Sequence, residues 1–165
     1  IGSSLVENEK IEVARELIRS AEARGVVMRF PVDNLVAQKC QPGVKTRVVD
    51  AGGIEKDWMG LDIGPRTIEE FKEEISRART IIWNGPLGVF EIDEFARGTA
   101  EIARAVAQSR ALSVVGGGAS VSALVKAGVQ DQISHISSGG GALLQFLAGQ
   151  TLPGVEILTK RETKE

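Results

Sequence analysis

Three glycine-rich loops carry the residues of this chain that are best suited to binding chemistry. They are Asn84-Gly85-Pro86-Leu87-Gly88-Val89-Phe90-Glu91, Gly116-Gly117-Gly118-Ala119-Ser120 and Ser137-Ser138-Gly139-Gly140-Gly141. Each follows an apolar run and precedes a helical pattern. Glycine lets the backbone approach a ligand closely, and the free N–H groups of a helix's first turn favour an anion. One such loop is as well explained by an ordinary turn, but three in succession predict phosphate or nucleotide binding.

The standard nucleotide fingerprints are missing from these loops. The sequence contains no Gly-x-x-x-x-Gly-Lys-Ser/Thr motif, and neither triple-glycine run completes Gly-x-Gly-x-x-Gly. A Walker-type nucleotide hydrolase and a dinucleotide-dependent oxidoreductase are therefore both disfavoured.

Four isolated side chains admit a functional and a structural interpretation. Glu91 ends the first loop and either accepts ribose hydroxyls or places a charge near a helix start. His135 lies in an apolar run, which favours a packed histidine. Asp62 is expected to bond within its own turn. Cys40 is the single cysteine, so we expect no disulfide, no cysteine-based zinc site and a reducing cytoplasm.

The elements that position these loops alternate along the chain. Helical periodicity covers 8–24, 67–78, 93–108, 120–127 and 140–148. Strand-like runs cover 26–30, 47–50, 80–83, 112–115, 133–136 and 155–158. Continuous apolar strands between helices predict an α/β fold, a doubly wound, mostly parallel sheet. We expect a single incomplete domain over 1–158, followed by a solvated tail at 159–165. Ligands of such folds bind beyond the carboxyl ends of the strands.

Composition excludes several classes of protein. The chain has 165 residues, 42% of them hydrophobic and 25% charged, which is ordinary for a globular domain. A formal charge of -2 without a basic stripe argues against nucleic acid. No apolar run reaches the length of a membrane span, so we expect no membrane partner.

Segments along nearly the whole chain resemble the C-terminal, nucleotide-binding domain of phosphoglycerate kinase. The matching segments are Gly2-x-Ser4-Leu5-Val6-Glu7, Pro31-Val32-Asp33, Trp58-Met59-Gly60-Leu61-Asp62-Ile63-Gly64-Pro65, Trp83-Asn84-Gly85-Pro86-Leu87-Gly88-Val89-Phe90-Glu91, Val115-Gly116-Gly117-Gly118, Ser134-His135-Ile136-Ser137-Ser138-Gly139-Gly140-Gly141-Ala142 and Leu152-Pro153-Gly154-Val155. The resemblance implies a glycolytic kinase that transfers a phosphoryl group between 1,3-bisphosphoglycerate and Mg-ADP, giving 3-phosphoglycerate and Mg-ATP. The family uses ATP/ADP and Mg²⁺ in a cleft between two Rossmann-like domains, as a cytoplasmic monomer.

The resemblance also assigns residues to the nucleotide. These are Gly60 and Leu61 at the adenine, Asn84, Pro86, Gly88 and Val89 along the pocket, Glu91 at the ribose, and Gly117, Gly118, Ala119 and Ser120 near the phosphates. The helix that opens at Gly139, Gly140 and Gly141 would stabilise charge on the transferred group, which is the catalytic role.

The chain departs from the family pattern in ways that bear on catalysis. Ala119 stands where the family has a metal-associated aspartate, so no metal ligand is predicted. Ser138 replaces the usual threonine and keeps a hydroxyl. The resemblance implies that the N-terminal domain, which binds 3-phosphoglycerate, and the phosphate-contacting lysines precede this chain. We therefore expect the chain to be inactive alone. Ala119 and the absent lysines favour the alternative, a non-catalytic nucleotide-binding module.

Overall fold

The computed structural model describes residues 1–137 and 139–159, which form two compact units. Unit 1 comprises Ile1–Glu73 and Leu87–Ile102, and unit 2 comprises Glu74–Pro86 and the described residues from Ala103 onward. The helices are α1 (Ile11–Ala23), α2 (Pro65–Arg77), α3 (Arg97–Gln108), α4 (Gly118–Ala127), α5 (Gly140–Leu147) and α6 (Pro153–Thr159). The strands are β1 (Asp33–Ala37), β2 (Arg47–Asp50), β3 (Met59–Ile63), β4 (Thr80–Asn84), β5 (Leu112–Gly116) and β6 (His135–Ser137). Short 3₁₀ helices cover Asn8–Lys10, Asp93–Phe95 and Gln130–Gln132.

Unit 1 contains a three-stranded antiparallel sheet in the order β2-β1-β3. Leu35 in the central strand pairs with Val48 on one side and Asp62 on the other, and the register shifts after Leu35. The core of this unit contains Ala37, Leu61 and Phe95. The sequence prediction included β2 but missed β1 and β3, so this sheet is a finding of the structure.

Unit 2 contains a three-stranded parallel sheet in the order β4-β5-β6. Val115 in the central strand is fully buried and pairs with Trp83 and Ile136. Helices alternate with the strands, because parallel neighbours need a crossover connection. The predicted α/β class with a parallel sheet is confirmed.

Three predictions about local structure are wrong. Residues 26–30 are not a strand; this apolar run has no strand partner within the described structure, and Phe30 is 53% exposed. Residues 155–158 lie in α6, which begins at Pro153, and proline is favourable at the first helical position. His135 is exposed rather than packed, because β6 is the edge strand of its sheet.

The remaining helix and strand predictions agree with the structure within a few residues at each end. Of the predicted tail, residue 159 ends α6 and residues 160–165 lie outside the described residues. In the part of the chain that the structure describes, no helix has the length and apolarity needed to cross a bilayer.

Candidate functional site

Two helices of unit 2 begin without a side-chain cap. Gly117 precedes α4 with a φ of 92°, a conformation that favours glycine, and Gly139 precedes α5. Because both cap residues are glycines, neither supplies a side-chain acceptor to the first turn of its helix. The first backbone N–H groups of both helices therefore remain available to an anion.

The starts of these two helices lie against each other. A β-carbon at Gly140 would be 2.6 Å from Cα of Gly117 and 2.9 Å from its backbone nitrogen. The side-chain amide of Asn84, at the end of β4, would lie 3.5 Å from a β-carbon at Gly117 and 3.6 Å from one at Gly140. The structure thus brings Asn84, Gly117 and Gly140 together at the carboxyl edge of the parallel sheet, where open α/β folds bind ligands.

The loop after β4 is held by its neighbours in unit 2. Gly85 has a φ of 101°; its N–H donates to Oγ of Ser120 at 2.6 Å, and its carbonyl accepts from Nε1 of Trp83 at 2.6 Å. Ser120 is fully buried in the first turn of α4, whereas Ala119 beside it is exposed. The hydroxyl of Ser120, which the resemblance assigns to the phosphates, therefore faces the Gly85 peptide.

The residues that the resemblance assigns to the adenine lie in β3 of unit 1. Leu61 is buried in the core with Ala37 and Phe95, and its carbonyl accepts the N–H of Val89 at 2.9 Å. The N–H of Gly60 donates to Oγ of Ser4 at 2.9 Å. Leu61 therefore has a structural role in this chain whatever else it contacts.

The Gly88 segment depends on two residues that the sequence analysis did not single out for it. Oγ1 of the buried Thr99 accepts the N–H groups of Leu87 and Gly88, both at 3.1 Å. The Asp62 carboxylate lies directly behind Gly88, where a β-carbon would be 2.3 Å from Oδ1. Glu91, the proposed ribose acceptor, is exposed at the end of this segment.

Asp62 accepts a hydrogen bond from a distant helix as well as one within its own turn. Its carboxylate is buried and accepts the N–H of Gly98 at 2.7 Å, in the first turn of α3, as well as that of Ile63 at 2.9 Å. Burial raises the pKa of Asp62 to about 6, although those hydrogen bonds and the charge of Arg97 act in the opposite direction. The signal in the sequence was a pair of glycines, Gly88 and Gly98, that leave space for it.

A second buried aspartate, Asp33, caps α2. It accepts the N–H of Arg66 at 3.1 Å, the N–H of Thr67 at 2.9 Å and the hydroxyl of Thr67 at 2.6 Å. Burial alone would raise the pKa of Asp33, but the hydrogen bonds from Thr67 and Arg66 outweigh it and hold the pKa below its ordinary value. This aspartate is a structural cap.

The described residues do not form a metal site. Ala119 offers only a methyl group, and no cluster of three or more histidine, cysteine, aspartate or glutamate side chains is arranged to hold a metal in the described ranges. The side chains present therefore do not fit Mg²⁺ as a resident ion.

Comparison with known proteins identifies the family. The family model described as phosphoglycerate kinase matches residues 1–150. The chain belongs to the phosphoglycerate kinase family. A phosphoglycerate kinase of Leptospira biflexa is 52% identical over 164 residues, covering 99% of this chain, and one of Rubrobacter xylanophilus is 55% identical over 162 residues, covering 98%. The chain spans 41% of the length of either relative.

Solved structures of the family agree with this assignment. Phosphoglycerate kinase from Coxiella burnetii superimposes with a TM-score of 0.92 at 41% identity, covering 97% of this chain and 41% of that one. The enzyme from Pyrococcus horikoshii OT3 superimposes with a TM-score of 0.78 at 38% identity, covering 91% of this chain and 36% of that one. The resemblance found in the sequence is thus confirmed at the level of the family.

Proposed function

We propose that this chain is the C-terminal, nucleotide-binding part of a phosphoglycerate kinase. In this role it binds ADP or ATP with Mg²⁺ while a phosphoryl group passes between 1,3-bisphosphoglycerate and ADP, giving 3-phosphoglycerate and ATP in cytoplasmic glycolysis. The N-terminal part of the longer protein, a monomer, supplies the 3-phosphoglycerate site. Membership of the family and the coverage of only 41% of its relatives support this proposal.

The observation that carries the proposal is the pair of uncapped helix starts in unit 2. The contact between Gly117 and Gly140 aims the first turns of α4 and α5 at one edge of the sheet, beside the amide of Asn84. Phosphoryl transfer is catalysed mainly by positioning and electrostatic stabilisation. Backbone N–H groups and two helix dipoles supply both without any charged side chain. We assign Gly117 and Gly118 to the phosphates and Gly139, Gly140 and Gly141 to the transferred group.

For unit 1 the proposal rests on the family resemblance. Gly60, Gly88 and Val89 would contact the base and the sugar, and Glu91 would accept the ribose hydroxyls. The exposure of Glu91 leaves its carboxylate available to a ligand. Magnesium would be held by nucleotide phosphate and water oxygens, because this chain offers it no carboxylate at position 119.

Calorimetric titration of the chain with ADP tests the nucleotide assignment. Glu91→Ala should weaken ADP by more than tenfold, because a charge-assisted hydrogen bond is worth about 1.5 to 3 kcal/mol. Binding of 2′,3′-dideoxy-ADP, which lacks the hydroxyls, should not change. Glu70→Ala, which removes another exposed glutamate, is the matched control. Equal losses for ADP and the dideoxy analogue would contradict the ribose role.

A coupled assay separates the enzyme from the non-catalytic module. The chain alone should produce no ATP from 1,3-bisphosphoglycerate and ADP, because the acyl phosphate must be held in line with ADP. Adding the N-terminal part of a relative should restore measurable turnover if the chain is the kinase's nucleotide half. ADP binding without turnover in that mixture would favour the module, which Ala119 also favours. Turnover by the chain alone would contradict the proposal that the N-terminal part supplies the 3-phosphoglycerate site.

A further inference from the structure

The two peptide groups on either side of the Gly85 α-carbon are each hydrogen bonded to a buried side chain. The Gly85 N–H donates to Ser120 from α4, and its carbonyl accepts from the indole of Trp83, which is 8% exposed. Both hydrogen bonds have lengths of 2.6 Å. Gly85 is half-buried, and both of its backbone polar groups have a side-chain partner, so the loss of either bond costs the free energy of a hydrogen bond.

Gly85 lies between two residues that the resemblance assigns to the nucleotide. Asn84 precedes Gly85 and its amide lies beside Gly117 and Gly140, while Pro86 follows. A β-carbon at Gly85 would meet nothing within 4 Å, so the space around this residue does not select its φ of 101°. The two hydrogen bonds hold the backbone of Gly85 in that conformation directly after Asn84, whose own backbone pairs with Gly116 in β5.

We infer that Ser120 and Trp83 are positioning residues, which clamp Gly85 and thereby aim Asn84 at the phosphate-binding edge of unit 2. This inference rests on the proposed function. It changes the role that the resemblance gives Ser120, since a fully buried hydroxyl bonded to a backbone N–H acts on the ligand through the loop. The helix turn that offers N–H groups to phosphate would also, through Ser120, set the shape of the loop after β4.

Amide hydrogen exchange at Gly85 measures the clamp directly. Ser120→Ala, a nearly isosteric change in a helix, should speed exchange of the Gly85 N–H by about tenfold or more, because the amide loses its acceptor. Amides at the centre of β5 should not change. Ser122→Ala, which removes an exposed hydroxyl from the same helix, should leave Gly85 at its wild-type rate.

A double-mutant cycle then connects the clamp to the nucleotide. Ser120→Ala and Trp83→Phe should each weaken ADP by about fivefold, the loss expected from one hydrogen bond. Together they should weaken it by about the same factor, because both act on the backbone of one residue, Gly85, and their effects are not independent. Thermal unfolding of each variant identifies a temperature at which all of them are folded for titration.

The outcomes distinguish this inference from the proposed function. Unchanged exchange at Gly85 in Ser120→Ala, or ADP losses that multiply in the double variant, would mean that the two side chains do not act through Gly85, and the inference would be wrong. A wild-type chain that binds no ADP would overturn the proposed function and the positioning role with it. Faster exchange at Gly85 together with non-multiplying ADP losses would support both.

Discussion

The starts of α2 and α3 in unit 1 are closed by side chains, whereas the starts of α4 and α5 in unit 2 are open. In unit 1, the buried carboxylates of Asp33 and Asp62 accept backbone N–H groups from the first turns of α2 and α3. In unit 2, α4 and α5 begin at glycines with no side-chain cap. The same N–H groups and helix dipoles thus fix the fold in one unit and remain available to an anion in the other.

Glycine makes both arrangements possible, for different reasons. A β-carbon at Gly64 would be 2.2 Å from Cγ of Asp33, and one at Gly98 would be 2.3 Å from Oδ1 of Asp62. Those glycines leave room for a carboxylate that belongs to the protein. Gly140 instead leaves room for the backbone of Gly117. Replacing one kind of glycine should cost stability, and replacing the other should cost binding.

The largest effect is expected at the closed start of α2. Asp33→Ala removes the carboxylate that accepts the N–H groups of Arg66 and Thr67, so the free energy of unfolding should fall by about 4 kcal/mol. Asp50→Ala, which removes an exposed partner of Arg66, is the matched control and should stay near wild type. Urea denaturation measures both. Similar stabilities for the two variants would show that the cap is not a main support of unit 1.

The next largest effect is on the pH dependence of stability, which should have opposite signs for the aspartates that cap α2 and α3. The raised pKa of Asp62 means that its contribution to stability is present below its ordinary value of 3.8 and is lost as the pH rises through about 6. Asp33, whose pKa is lowered, contributes above its ordinary value and loses that contribution as the pH falls further. Between pH 4 and 7, the wild type should lose up to about 3 kcal/mol of its free energy of unfolding through Asp62, and Asp62→Asn should lack that loss. Identical pH profiles for wild type and Asp62→Asn would contradict the raised pKa.

The parallel sheet of unit 2 was easier to predict from sequence than the antiparallel sheet of unit 1. β4 and β5 are continuous apolar runs bounded by loops, so a local pattern locates them within one residue. β3 contains a glycine and a buried aspartate, Gly60 and Asp62, and gives no such pattern. An acidic side chain in a strand is predicted to face solvent unless its partner is known, and the partner here is Gly98, 36 residues away along the chain.

The candidate site shows the same division. The three glycine loops predicted a phosphate site at this edge of the sheet, and the structure brings a residue of each loop together there: Asn84, Gly117 and Gly140. The clamp on Gly85 could not be predicted, since nothing in Ser120 alone distinguishes a hydroxyl that faces a ligand from one that faces a loop 35 residues earlier. Roles that depend on long-range hydrogen bonds required the structure.

The open starts are tested by two neighbouring glycines. Gly140→Ala would push α5 away from Gly117 and should weaken ADP by about tenfold, since overpacking of this kind costs 1 to 3 kcal/mol. Gly141→Ala, where a β-carbon meets nothing within 4 Å, should keep ADP affinity within about twofold of wild type. Fluorescence or calorimetric titration compares them. Equal losses would mean that the contact between the two helix starts does not matter for binding.

The smallest effect, and the one that speaks most directly to the difference between the units, comes from closing an open start. Ala119→Asp places a carboxylate in the first turn of α4, as Asp33 and Asp62 do for the helices of unit 1, and should stabilise the helix by about 0.5 kcal/mol. The new charge repels bare phosphates but attracts a hard cation, so ADP should bind a few times more weakly in EDTA and a few times more tightly with Mg²⁺. Titrations of both proteins under both conditions measure that crossover, and Ala127→Asp, at the far end of the same helix, controls for net charge. If the Mg²⁺ dependence of Ala119→Asp equals that of the control, the first turn of α4 does not face the metal–phosphate group, and the phosphate assignment of Gly117 and Gly118 is wrong. If the crossover appears, the open helix start is where the nucleotide phosphates bind, and a single carboxylate is enough to change which form of the nucleotide the chain prefers.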